Sequence, residues 1–227
     1  MTGICATVRH VDGYTLVDMF ATMSAATNQL QSMALTSLTT TAAGGFVQGS
    51  TPNLKGWAPD VNFTSSMDSL DSFVTLGGST YGNPSGPYLA NGSLLPSFWP
   101  TGTWNGTPWS APANSIAVPA GEGRLGWSTV STDVKSRAIS LEGLGDRITV
   151  QGLSASSSYG AWFAHLVVAG DGPFQITMSD WMAAWCANVG SNPTEYPPVG
   201  ANSTFTVPAP GALALFLCAG RRRARRA

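Results

Sequence analysis

The chain has 227 residues, 10% charged and 43% hydrophobic, with 26 Gly and 15 Pro, a mixture that argues for many short strands joined by turns and against a bundle of long helices. The formal net charge is -1, but five of the 11 basic residues sit in the C-terminal tail, leaving six basic against 12 acidic residues ahead of it, a net of -6. An acidic surface excludes nucleic acid as a partner, because phosphate binding needs cations.

At the N-terminus, a secretory leader needs an apolar run of about 7 to 15 residues behind a basic start, and the apolar residues 4–8 are cut short by Arg9 and His10. No leader is visible, so export requires one encoded upstream of Met1, and the first residues of the chain are expected to fray. Residues 13–23 (GYTLVDMFATM) make the first expected strand. Both its faces are apolar, as in a central strand, and Asp18 is the exception. Residues 30–41 (LQSMALTSLTTT) are β-branched towards their end and are followed by the Gly44-Gly45 break and the short run Phe46-Val47-Gln48. Residues 71–76 (DSFVTL) form a compact strand closed by Gly77-Gly78.

From 79 to 121 the chain is rich in Pro and Gly with little periodicity, and Trp99, Trp104 and Trp109 recur every five residues. Flat indole faces on such a loop can stack on sugar rings, or can pin the loop onto a sheet. Strands are expected again at 124–130, 137–141, 147–151, 161–169 and 174–178, with glycine pairs such as Gly143/Gly145 and Gly170/Gly172 at the turns. Residues 179–187 (SDWMAAWCA) read either as one or two helical turns capped by Ser179 or Asp180, or as an edge strand. Residues 191–206 read as a Pro- and Asn-rich linker.

Little of this carries chemistry. His10 and His165 lack metal-spaced partners, so no metal site and no cofactor are indicated. His165 lies in the apolar run AWFAHLVVA, where a satisfied interior histidine is expected. Gly82-Asn83-Pro84-Ser85-Gly86 places its serine one position too late for a nucleophile elbow. Asp60, Asp68 and Asp71 offer oxygen ligands without a calcium-loop spacing. No catalytic constellation is visible, and the chain is expected not to be an enzyme. Cys218 lies in the tail, leaving Cys5 and Cys186 as the candidate disulfide of an oxidising compartment, against two unpaired thiols.

The last 21 residues, VPAPGALALFLCAGRRRARRA, have an order of parts that no globular core needs. Val207, Pro208, Ala209 and Pro210 precede an uncharged apolar stretch, residues 211–220, expected as a short helix. Ten residues at about 1.5 Å each reach roughly 15 Å, half of a hydrocarbon core of about 30 Å. Arg221, Arg222, Arg223, Arg225 and Arg226 hold that end on the cytoplasmic side and place the remainder outside. This order of parts resembles the PEP-CTERM sorting signal, with Ala209 where the name-giving Glu would stand. The block from 13 to 150 also resembles an uncharacterised ectodomain found on such proteins. The resemblance implies processing by an exosortase as partner, transient anchoring in the inner membrane, and delivery to an exopolysaccharide-rich envelope or extracellular matrix.

The expectation is therefore an all-β protein: an antiparallel, jelly-roll-like β-sandwich over 1–190, a linker over 191–206 and a sorting tail over 207–227 ending in the short apolar helix. The expected role is structural or adhesive. The alternatives are a carbohydrate-binding module using Trp99, Trp104 and Trp109, and a secreted glycan hydrolase whose two carboxylates meet only in space.

Overall fold

The computed structural model describes residues 1–47, 70, 72–76, 78–80, 83–84, 97–99, 115–117, 125–128, 136–149, 157–188 and 190–210. Among them the fold is all-β and antiparallel, with no α-helix. The strands are β1 (Gly3–Val11), β2 (Tyr14–Met23), β3 (Gln29–Leu35), β4 (Ser37–Thr40), β5 (Phe73–Val74), β6 (Gly78–Thr80), β7 (Asn83–Pro84) and β8 (Ser97–Trp99). They continue as β9 (Ser115–Ala117), β10 (Leu125–Ser128), β11 (Ile139–Ser140), β12 (Asp146–Thr149), β13 (Tyr159–Ala169), β14 (Phe174–Cys186) and β15 (Thr194–Val207).

One sheet runs β11-β13-β2-β1-β12, with β5 also paired to β13. Its centre is the β1–β2 hairpin, whose two-residue turn is Asp12-Gly13 with φ of 49° and 81°. Positive φ at both positions is what a type I′ turn demands, and Asp-Gly supplies it at little steric cost. The segment expected to fray is thus an interior strand, held by β2 on one side and β12 on the other. Nine of the ten residues of β2 are buried, as its two apolar faces predict.

The second sheet runs β8-β10-β3-β14-β4-β9, with β15 on the other side of β14. β3 and β4 together form one line along β14: Met182 faces Ala34, and four residues further along Met178 faces Leu38. Residues 179–187 are therefore neither helical turns nor an edge strand, since most of them form the second half of β14, flanked on both sides. The register slips between Met178 and Trp181, where Asp180 takes a φ of 47° and its N–H donates to Asn202 Oδ1 at 2.8 Å. Such a bulge re-aims the strand, and Trp181 beyond it is wholly buried with its indole N–H donating to Ser203 Oγ at 2.8 Å.

The expected linker over 191–206 is also corrected, because residues 194–207 are a strand paired to β14. Tyr196 opposes Ala183 and Ala201 opposes Trp181, so the four residues Pro197 to Gly200 stand against the single residue Met182, three more than a regular ladder holds. Proline has no N–H for a ladder, and the bulge is where it can be carried. Ile4, Ala6, Val8, Val17, Met19 and Ala21 of the first sheet share one hydrophobic cluster with Leu30, Leu38, Ile176, Trp181, Phe205 and Val207 of the second. The expected C-terminal helix over 211–220 lies outside the described residues.

A buried cross-strand polar row as the candidate functional site

The opposite face of the first sheet is largely buried as well, and it carries a buried Asp–His pair. Alternation along β1 and β2 sends Cys5, Thr7 and Arg9, and Leu16, Asp18 and Phe20, to the side away from the main core. Cys5 and Phe20 join a second cluster there with Phe73, Leu141 and Trp162.

In β13 the sidedness depends on a bulge. Trp162 opposes Phe20 but Ala164 opposes Met19, so Phe163 is an extra residue. Strict alternation from Trp162 would turn His165 into the main core; the extra residue turns it to the same face as Asp18, directly opposite it. The Trp162 indole N–H donates to the Ala164 carbonyl at 2.9 Å and so closes the bulge from its own side chain.

The result is a row across neighbouring strands: Thr7, Asp18, His165 and Phe73, each opposite the next. His165 Nδ1 lies 2.6 Å from Asp18 Oδ1, and both side chains are 0% exposed. The other carboxylate oxygen, Oδ2, lies 3.6 Å from Arg9 Nη2, on a side chain that is 24% exposed. Gly145, with φ of 116°, packs on the Arg9 stem, and a Cβ there would lie 3.0 Å from Arg9 Cγ. The imidazole is walled by Phe73, with centroids 5.0 Å apart, and by the edge of Trp162 at 6.2 Å. Ser72, beside Phe73, receives the Val167 N–H at 2.8 Å and donates to the Val167 carbonyl, fixing this wall to β13.

An imidazole oriented by a carboxylate can hold or pass a proton, as in catalytic dyads. Here the pair is sealed, and the buried hydroxyl of Thr7 opposite Asp18 finds no hydrogen-bond partner among the described residues. A sealed, hydrogen-bonded pair between two strands acts as a register lock: a one-residue slip would carry Asp18 into the hydrophobic cluster.

No protein-family model, curated protein or solved structure matches this chain.

The residues singled out from sequence are scattered. Val207 is the last residue of β15, with Pro208 and Ala209 half-buried and Pro210 exposed. Arg221, Arg222, Arg223, Arg225 and Arg226 lie outside the described residues, as do Trp104 and Trp109, whereas Trp99 ends β8. The candidate disulfide does not form: Cys5 and Cys186 are free, buried thiols on strands of different sheets. Burial pushes both thiols above the ordinary cysteine range, opposed at Cys5 by Arg147 and at Cys186 by the hydrogen bond its Sγ donates to the Ser191 carbonyl. Among the described residues no three His, Cys, Asp or Glu side chains gather to hold a metal. No helix among them is long and apolar enough to cross a membrane.

Sequence reading singled out Asp18 as the lone charge in an apolar strand but did not find its partners. Asp12-Gly13 is the signal that places Arg9 beside it, since a two-residue turn there pairs Thr7 with Asp18.

Proposed function

We propose that this chain is an exported surface or extracellular-matrix protein: a jelly-roll-like β-sandwich ectodomain with a structural or adhesive role, sorted through residues 207–227 by an exosortase. The observation that carries the reading is where β15 stops. Val207 is buried in the core and paired with Phe174, and the next three residues step outward to an exposed Pro210. The last strand thus ends at the first residue of the motif, which is the order of parts that a sorting tail behind a folded domain calls for. The Asp18–His165 pair, closed to solvent, serves the framework, and the reading assigns no reaction.

The experiment is to replace Arg221, Arg222, Arg223, Arg225 and Arg226 together by alanine in the producing strain and fractionate the cells. The reading expects the native chain in the envelope or matrix fraction, and the variant lost from it, because the cations that stop the apolar stretch are gone. Identical cytosolic distribution of both forms contradicts it.

A further inference from the structure

We infer that the folded domain sets the N-terminal limit of processing: peptide bonds up to and including Thr206–Val207 are closed to a processing enzyme, so that no bond it cuts lies before Val207–Pro208. This rests on the sorting reading for the enzyme itself, but the limit comes from the fold.

A protein that binds or cuts a peptide takes it in extended form, with its backbone and alternate side chains in the receiving groove. Ser203, Phe205 and Val207 cannot be offered in that way. They are 4%, 3% and 0% exposed, and Val207, Thr206, Phe205, Thr204 and Ser203 pair in register with residues 174–178 of β14. Thr204 adds a hydroxyl–hydroxyl contact to Thr177 at 3.0 Å. Releasing them means peeling a strand from the sheet and pulling two large apolar side chains out of the main core.

At Pro208 the situation reverses. Proline has no N–H to donate and a fixed φ, so neither Pro208 nor Pro210 can extend the donor side of the ladder, and exposure rises to Pro210. The two prolines therefore end the ladder at Val207. Hydrolysis on this side breaks one C–N bond, adds water across it, and gives a carboxylate on the domain and an amine on the departing tail. Every core residue of β15 stays with the domain. A cut one or two bonds earlier would remove Val207 from the cluster and leave Phe174 without its partner.

The limit is tested on purified full-length chain with proteinase K under native conditions, reading only the C-terminal boundary of the domain fragment by mass spectrometry. The expected boundary is Val207 or later, with residues 203–207 retained. Trimming of 203–207 at the rate of the tail overturns the inference and leaves the sorting reading standing. A Val207→Ala variant, chosen to keep the fold, removes two buried methyl groups and is expected to raise trimming upstream of residue 207 about tenfold, because cleavage follows the population of the locally opened strand. No change in that variant also overturns the inference. The second arm is the chain from the producing strain: a C-terminus at or beyond Val207 supports the limit and one within 203–206 overturns it. An uncut chain there, with the limit intact in vitro, overturns the sorting reading and the processing assigned to it.

Discussion

Removing the carboxylate of Asp18 should be among the most damaging single substitutions on the first sheet. Asp18→Ala leaves the His165 ring nitrogen without its 2.6 Å acceptor and Arg9 without its 3.6 Å counter-charge, where both Asp18 and His165 are 0% exposed. Breaking a buried pair by deleting one partner costs about 3–5 kcal/mol. The Arg9 contact adds little, since that side chain is partly solvated and pairs of that kind are worth roughly 0–1 kcal/mol. For a chain of this size about 3–5 kcal/mol corresponds to a fall in Tm of roughly 6–20 °C. Urea unfolding followed by tryptophan fluorescence reads the loss as a lower midpoint with an unchanged slope. The companion is the double variant Asp18→Leu with His165→Phe, which replaces both polar partners by apolar groups and is expected to recover most of the loss. A single variant costing under about 1 kcal/mol, or a double variant as unstable as the sum of its singles, refutes the register-lock reasoning.

Two further outcomes follow from packing and burial. Gly160→Ala places a Cβ 2.9 Å from Phe20 Cβ and 2.9 Å from Leu141 Cδ2, so overpacking is expected to cost about 1–3 kcal/mol in the same unfolding assay. In a Cys218→Ser background, native protein at pH 8 is expected to leave Cys5 and Cys186 unlabelled by a thiol reagent. Burial raises both thiols, which keeps the reactive thiolate scarce until the pH is higher. Labelling of both should appear on unfolding, and rapid native labelling would contradict their placement.

Much of the fold was legible because antiparallel strands buried on one or both faces leave their period in the sequence. The expected strands at 13–23, 137–141 and 161–169 fall on β2, β11 and β13, and 30–41 falls on β3 and β4. What was illegible has a common cause: bulges break the period. Ser179-Asp180 looks like a helix cap because Ser and Asp satisfy backbone N–H groups, but here Asp180 forms the bulge that redirects β14, and its N–H is satisfied by Asn202. Pro197-Pro198 looks like a linker because proline spoils a ladder, yet the ladder resumes beyond the bulge. The same holds for the polar row. Asp18 stood out, but simple alternation points His165 the wrong way until Phe163 is counted as the extra residue, and nothing local reveals that. Arg9 was within reach of sequence through the Asp12-Gly13 turn.

The Cys5–Cys186 pairing failed for a topological reason. Cys5 lies on the outer side of one sheet, among Phe20, Phe73 and Trp162, and Cys186 closes β14 of the other. Counting cysteines cannot see which face of a strand each one occupies.

The most direct measurement of the central claim is the intact mass of the chain recovered from the envelope or matrix of the producing strain. An exosortase-sorted ectodomain should have lost Arg221, Arg222, Arg223, Arg225 and Arg226 while keeping every residue through Val207. A full-length chain carrying all five arginines and residing in the cytosol would contradict it.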